Sequence, residues 1–496
     1  MPDPLQVCVQ DFIYSWQSGL RNEEETRAVH LVAVSLSRIL PASTHLFERG
    51  GFYVLVDVPT GSIFALDERA YRYLSCVLAD PGRSEADVAH QTGLSRSAIT
   101  EIESEFEQLI SAGCLFSPAS QPEEDPSALT LKSLCLNVAH ECNFSCAYCF
   151  AHGGDYRGEA SLMSRDVARS AIDFLVGQAD SHRNLEVDFF GGEPLMNWDV
   201  VVDTMTYARA AYPARTWRFT LTTNGSLLRD DMLPVLEAFD VSVVLSLDGG
   251  QLTNDANRTF SNGHGTFTAI LDRIRRFTAT RPDGGYFVRG TYASNTLEFA
   301  SSVRQLHELG FRYISMEPVV LAADSSLALK ASDLPAIRTQ YEELIAYFLN
   351  ELRSDHGFEF FHFKLDLEAG PCLSKRIYGC GAGAEYMAVA PNGDLFPCHQ
   401  FDGVQEYRIG NVLQTPAVQR PELIREFAHA NFLFAKEACS TCWARFYCSG
   451  GCLANNYSTN GTLMKPYEMG CLIQKERIEA ALAVKAAESH AEEPVR

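Results

Sequence analysis

The stretch "GFYVLVDVPTGSIFALD", Gly51 to Asp67, holds two apolar runs on either side of a Pro-Thr-Gly-Ser turn, a pattern that predicts a pair of strands. Three segments with helical spacing follow: "ERAYRYLSCVL", "SEADVAHQTG" and "SRSAITEIESEFEQLISAG". A Ser N-cap opens the second, and Gly113 ends the third. Strands and three helices within 45–116 predict a small winged-helix-like domain, preceded by a weakly patterned lead-in over 1–44. A polar, Pro-rich stretch, "SPASQPEEDPSA", marks a linker over 117–129.

From 130 to 355 the pattern changes to strands alternating with helices. "LCLNV", "LEVDFF", "RFTLTT", "VSVVLSL", "YFVRGTY" and "YISMEPVV" read as strands, and "RDVARSAIDFLVGQ" and "WDVVVDTMTYARAAY" as intervening helices. Six such strands predict an α/β fold, a parallel sheet curled into a partial (β/α)6 TIM-like barrel. Chemistry in such barrels sits at the C-terminal strand ends. The rhythm stops near 356. A loop-rich, cysteine-rich region runs over 356–475, and 476–496 reads as a helix with a frayed end.

Composition narrows the choices. The 496 residues suffice for several domains, and the net charge of −22 disfavours a non-specific nucleic-acid binder. No apolar run approaches the roughly 18 residues of a membrane span. "MPDPLQVCVQDF" has neither the basic start nor the apolar core of a secretion signal, so a cytoplasmic, reducing location is expected. The fifteen cysteines then point to metal ligation where they cluster, rather than to disulfides. Cys8, Cys76, Cys114 and Cys135 are isolated and read as small apolar side chains.

Three cysteines, Cys142, Cys146 and Cys149, lie in "HECNFSCAYCFA" after the first barrel strand. Their C-x3-C-x2-C spacing lacks the fourth local ligand of a zinc ribbon or finger. A [4Fe–4S] cluster held by three thiolates leaves one iron open for an outside ligand. After the second strand comes "GGEP", Gly191, Gly192, Glu193 and Pro194. These residues resemble the radical S-adenosylmethionine (SAM) enzymes, whose fingerprint places an aromatic residue where Tyr148 stands. The resemblance implies that SAM ligates the open iron and yields a 5′-deoxyadenosyl radical, with Glu193 contacting the methionyl amine. Thr222, Thr223 and Asn224 end the third strand, Ser246 and Asp248 end the fourth, and Arg289 lies in the fifth. Their positions suit ribose or carboxylate contacts, and each is equally an ordinary strand-end polar residue.

Eight further cysteines lie between 372 and 471. Cys380, twelve residues, Gly393, four residues and Cys398 precede Cys439-x2-Cys442-x5-Cys448-x3-Cys452, and Cys471 follows. The count alone is compatible with two four-cysteine zinc sites or two [4Fe–4S] clusters. The spacing resembles the SPASM extension of radical SAM enzymes. That likeness implies one auxiliary cluster on Cys372, Cys380, Cys398 and Cys452, and another on Cys439, Cys442, Cys448 and Cys471. It brings the total to three [4Fe–4S] clusters. Cys372 lies outside the core signature; without it, one auxiliary iron would be open to a substrate thiolate.

The winged-helix pattern by itself suggests DNA, but charge opposes this. Residues 45–116 carry eleven Asp/Glu, five Arg and no Lys, and the third helix sets Arg96 against Glu101, Glu103, Glu105 and Glu107. The segment resembles the recognition element of enzymes that modify ribosomally made peptides, where a leader peptide adds as a strand to the sheet edge. Over about 45–475 the chain resembles thioether-forming maturases of six-cysteine (SCIFF, or ranthipeptide) peptides, through "NLEVDFFGGEPLMN", "FFHF", "GCGAGAEYMAVAPNGDLFPCHQF" and "CWARFYCSGGC". The likeness implies a precursor-peptide partner, an electron donor such as flavodoxin or ferredoxin, and no nucleic acid or membrane. Sulfatase-type Cys/Ser oxidation is the nearest alternative within this architecture; that subgroup has a carboxylate base where this chain has His399, itself a candidate base or a structural histidine. Carbon–carbon cross-linking is also open. A peptide- or DNA-binding iron–sulfur sensor would need neither "GGEP" nor the barrel.

Overall fold

Three antiparallel strands, β1 (Thr44–Arg49), β2 (Phe52–Asp57) and β3 (Ser62–Leu66), form a sheet in the order β1-β2-β3. β2 is buried continuously from Val54 to Asp57 because both faces of the sheet are covered. On one face Leu55, Phe64 and Leu66 pack against helices α1 (Glu68–Ala79), α2 (Glu85–Thr92) and α3 (Arg96–Ser111). Asp67, Ser84 and Ser95 cap those helices by accepting from backbone N–H groups. On the other face Phe47, Val54, Val56 and Ala65 pack against Ala444, Ile478, Leu482 and Ala486. Burying each large side chain contributes about 1.5–3 kcal/mol. The winged-helix-like arrangement of the sequence reading is present, with β1 added ahead of the two strands anticipated.

The computed structural model describes residues 43–59, 61–116, 122–125, 129–156, 158–354, 356–365 and 377–491. Cys8, Cys372, most of the lead-in and much of the linker lie outside the described residues.

The second sheet has ten strands. Its parallel centre comprises β4 (Ser133–Ala139), β5 (Asn184–Gly191), β6 (Thr216–Thr223), β7 (Val241–Ser246), β8 (Tyr286–Tyr292) and β9 (Tyr313–Pro318), paired in sequence order. The alternation is plain in β5, where Leu185, Val187 and Phe189 are buried while Glu186, Asp188 and Phe190 are partly open. Helices α4 (Arg165–Gln178), α5 (Trp198–Ala211), α6 (Leu233–Ala238), α7 (Gln251–Asn257), α8 (Phe267–Ala279) and α9 (Phe299–Glu308) lie between these strands in the chain, and α10 (Leu334–Leu352) follows β9.

The cysteine-rich region does not stand apart from this sheet. β10 (Glu359–Phe360) pairs with β9 at one end, while β11 (Tyr386–Val389) runs parallel to β4 at the other, followed by antiparallel β12 (Asp394–Phe396) and β13 (Gly410–Asn411). Helices α11 (Pro421–Asn431), α12 (Leu453–Asn460) and α13 (Glu468–Ala491) complete the region. The boundary expected at 475/476 falls inside α13, which contains Cys471 and packs on both α10 and β2. Arg49 of β1 is 3% exposed and joins these elements: its guanidinium donates to Glu342 of α10 at 2.6 Å, to Glu479 of α13 at 3.0 Å, and to Glu476 of α13.

Candidate functional site

The loop after β4 carries Cys142, Cys146 and Cys149 across the C-terminal end of the barrel strands. The end of β5 crosses close behind it. Gly191 has φ +132°, and a Cβ there would meet Ala139 O at 2.3 Å; a Cβ on Gly192 would meet Glu141 O at 2.2 Å. Gly192 N donates to Ala139 O and Glu193 N to Glu141 O, so the "GGEP" turn and the cysteine loop share backbone bonds.

Glu193 is fully buried. Its Oε1 accepts from Leu195 N at 3.0 Å and Thr223 Oγ1 at 2.7 Å, and its Oε2 accepts from Asn224 N at 2.8 Å. Burial pushes its carboxyl up to about 7 against the pull of these donors. Pro194 begins a short 3-10 turn beside it. Asn224 donates from Nδ2 to Asn143 Oδ1 at 2.9 Å, with Cys142 Sγ at 3.9 Å. Glu193, Thr223, Asn224 and the cysteine loop therefore converge. Tyr148 donates to Asp248, whose Oδ1 accepts from Arg258 Nε at 3.0 Å and Thr291 N at 2.9 Å. Thr222 and Ser246 sit half-buried at the ends of β6 and β7, and Ser246 is in register with Arg289 on β8. The Arg289 side chain is half exposed, with Glu317 at 3.8 Å.

Burial raises the Cys142 thiol to about 12, and Glu193, Cys146 and Cys149 push in the same direction. Burial also raises Cys146, to about 11. Three part-buried thiols in one loop without a local fourth thiol suit a cation that would ionise them. In the C-terminal region, burial and then Cys452 and Cys380 raise Cys398, and Cys380 also acts on Cys452. Cys439 responds to burial first, then to Cys448 and Cys442. Cys471 responds to burial, then to Cys448, Cys439 and Cys442. Cys398 and Cys452 thus neighbour Cys380, and Cys439 and Cys471 neighbour Cys442 and Cys448. Among the described residues no three His, Cys, Asp or Glu side chains converge as the shell of one metal ion does. A cubane spreads its ligands over a wider volume than a single zinc, so the donor sets remain suited to clusters.

Between the two cysteine regions lies a cluster of aromatic rings. Phe150 follows Cys149 and is 42% exposed; His399 follows Cys398. Their rings are 5.7 Å apart, and Phe190 lies 4.9 Å from His399. Burial and then the Arg289 charge push His399 down to about 4, so it is neutral near pH 7; its Nδ1 lies 3.2 Å from Tyr386 Oη. Beneath it, Asp402 receives His140 Nε2 at 2.8 Å and Asn137 Nδ2, tying β4 to the Cys398 segment.

Comparison with known proteins agrees with this geometry. Residues 133–265 match the family model described as a 4Fe-4S single cluster domain, and residues 380–443 match the SPASM iron-sulfur cluster-binding domain. The chain is similar to radical SAM/SPASM enzymes. One relative is the radical SAM cyclopropyl synthase TigE of Paramaledivibacter caminithermalis, 20% identical over 70% of this chain and 72% of that protein. An uncharacterized Methanocaldococcus jannaschii protein is 29% identical over 27% of this chain, and the match spans 44% of that protein's length. Among solved structures, anSMEcpe with bound AdoMet has a TM-score of 0.59 and 20% identity, covering 73% of this chain and all of that one. Streptococcus suis SuiB bound to its precursor peptide SuiA has a TM-score of 0.50 and 16% identity, covering 85% of this chain and 97% of that one. By that likeness, this chain would hold a [4Fe–4S] cluster and SAM at the Cys142, Cys146 and Cys149 loop.

Arg258 and Lys436 escaped the sequence reading. Lys436 is buried beside Cys439, Cys448 and Cys380, its ammonium pushed down chiefly by burial. Neither has a periodic signal: Arg258 meets the cysteine loop, and Lys436 meets Cys448 and Cys380, through contacts distant in sequence. Among the described residues no helix is long and apolar enough to cross a membrane.

Proposed function

We propose that this chain is a peptide maturase that forms thioether links between cysteine sulfur and an acceptor carbon in a ribosomally made, cysteine-rich precursor. The supporting observation is the contact between Phe150 of the SAM-site loop and His399 of the auxiliary-site segment, whose rings stand 5.7 Å apart. A substrate there is flanked by both cysteine sets. SAM and its cluster, when bound, supply the hydrogen-abstracting radical. The acceptor C–H loses a hydrogen atom, the peptide S–H loses a proton, and the C–S bond leaves one electron to be taken up. Cys380, Cys398 and Cys452 would hold the acceptor of that electron, and two auxiliary clusters would make three in all. Phe150 and Phe190, packed around His399, would shield a substrate there from water. The likeness to SuiB with SuiA supports a peptide substrate, and the β1-β2-β3 sheet offers outer edges for a leader strand.

Sulfatase-type oxidation is favoured by likeness to anaerobic sulfatase-maturating enzymes, 23% identical over 63% of this chain for the cysteine-type enzyme of Clostridium perfringens. Against it, His399 stands where that subgroup has its carboxylate, and the nearby Asp402 is already bonded to His140 and Asn137. The test is anaerobic reconstitution with SAM, reductant and the cysteine-rich peptide encoded beside this protein. Loss of one pair of hydrogens per link, with one fewer alkylatable thiol each time and deoxyadenosine formed, supports thioether formation. Deoxyadenosine with every peptide thiol still alkylatable rejects it. An iron content of about twelve per chain supports three clusters.

A further inference from the structure

One face of the parallel sheet packs on the helices, and the other carries a row of polar side chains. Asp188 is in register with Thr220, Thr222 with Val244, Ser246 with Arg289, Arg289 with Ser315, and Thr291 with Glu317. Paired residues of parallel strands share a face, as do residues two apart on one strand. Phe190, Thr222, Ser246, Arg289, Ser315 and Glu317 therefore lie on one inner face, the face from which Phe190 meets His399.

Glu317 is fully engaged there. Its Oε2 accepts from Arg477 Nη2 of α13 at 3.0 Å, and its Oε1 lies 3.1 Å from His362 Nε2, in the turn after β10. Burial alone would raise the Glu317 carboxyl, but Arg477 and then His362 hold it well below the ordinary carboxylate range. Burial, and then Arg477, lower His362, so its ring donates in the neutral form near pH 7. Arg289 differs from these groups. Its side chain is half exposed, its Nη2 stops 3.8 Å from Glu317 Oε1, and among the described residues no hydrogen bond occupies its fork. Two guanidinium groups thus face one carboxylate, which leaves one unmatched positive charge on this wall. Asp248, after β7, is already matched by Arg258. A guanidinium fork fits a carboxylate through two parallel hydrogen bonds.

We propose that Arg289 binds a carboxylate side chain of the substrate peptide, an Asp or Glu of its core segment, and so selects which residue is presented for reaction. SAM also carries a carboxylate, but the placement favours the peptide. The groups around Arg289 come from β9, the turn after β10 and the helix that holds Cys471, whereas Glu193, Thr223 and Asn224 come from the ends of β5 and β6. Two strand spacings, about 10 Å, separate β6 from β8. The proposal rests on the peptide-maturase reading and is independent of which bond the enzyme forms.

The test uses the full chain, reconstituted anaerobically with SAM and reductant, and the cysteine-rich peptide encoded beside it. The peptide is supplied unaltered and with each core Asp or Glu changed singly to Asn or Gln. Arg289→Gln should lower kcat/KM for the unaltered peptide about 10- to 100-fold. One amide-bearing peptide should be equally poor with wild-type enzyme, and combining it with R289Q should add little further loss. Arg289→Lys, which keeps the charge without the fork, should recover part of the rate, and it takes the place of R289Q in the same cycle should R289Q not fold. Additive losses overturn the contact, as does a core segment without Asp or Glu, or a series in which no amide matters. SAM affinity is read by titrating the SAM-induced change in the cluster EPR signal. A weakening of SAM binding in R289Q that matches its loss of rate assigns the fork to SAM and overturns the proposal. A wild-type enzyme that leaves the peptide unchanged and forms no peptide-dependent deoxyadenosine refutes the maturase reading, and this proposal with it.

Discussion

Replacing Arg49 with methionine should loosen the docking of the β1-β2-β3 sheet on the rest of the chain. The substitution keeps the apolar stem and removes the fork that joins Glu342, Glu476 and Glu479. The side chain of Glu342 is 38% exposed, so its share is small after solvent screening. Glu476 and Glu479 are 14% and 12% exposed, but each keeps one partner: Arg338 at 2.8 Å and His45 at 2.9 Å. Full loss of a buried pair costs about 3–5 kcal/mol, and the surviving partners reduce this to about 2–4 kcal/mol. That corresponds to a roughly thirtyfold to thousandfold increase in transient undocking. Native-state hydrogen exchange is the assay, because local opening is read segment by segment where global unfolding of several domains is not two-state. Amides of β1 and β2 should exchange faster by that factor, with α4 and α5 unchanged. The pH sign can be checked in the same experiment. Burial alone would raise the Glu479 carboxyl, but His45 and Arg49 overcome it and hold it low. Its stabilising share is therefore present above the ordinary carboxylate range and lost as pH falls through the depressed folded value. In R49M that acid dependence should shrink. Unchanged exchange in β1 would refute the argument and assign the docking to Phe47, Val54, Val56 and Ala65 alone.

Glu193 is raised to about 7, so its contribution to stability is present below the ordinary carboxylate value and lost as pH rises through about 7. Cluster-free protein should lose thermal stability over that window, and Glu193→Gln should flatten the loss. Cys398→Ser and Cys439→Ser should each remove about four irons per chain and a different SAM-insensitive EPR signal; loss of one common signal would reject the two-set partition. Phe150→Ala should raise the yield of deoxyadenosine uncoupled from peptide product by admitting water between the cysteine regions, with cluster content unchanged. A coupling ratio equal to wild type would show that Phe150 does not shield the substrate.

The barrel was legible because strands such as "LEVDFF" and "YFVRGTY" carry their pattern locally, and rigid strand ends place Cys142 and "GGEP" without further information. The C-terminal cysteines stood out by their spacing, and only the likeness to the SPASM extension divided them into two sets. Other features arise only from distant pairing. Arg258 looks like the end of a short polar helix until the chain folds it against residues 145–147. Glu476 and Glu479 stand three apart on α13 and read as a solvated face, although β1 covers them. β11, β12 and β13 are two to four residues long, too short for any alternation to register. β1 mixes charged and apolar residues because Arg49 faces a carboxylate cluster rather than water.

The pairing of β11 with β4 also bears on how this protein can be divided. Tyr386 to Val389 align with Ser133 to Leu136, so the strand that launches the SAM-site loop is flanked by one from the cysteine-rich region. Deleting that region would strip β4 of a neighbour and bare a row of unpaired backbone N–H and C=O groups, a template for aggregation. A one-residue slip between the two strands would displace Cys398 relative to Cys142 by about 3.3 Å and turn its flanking side chains to the opposite face. The barrel and its cysteine-rich extension are therefore a poor pair for domain swapping between relatives: a viable chimera must exchange β4 together with β11.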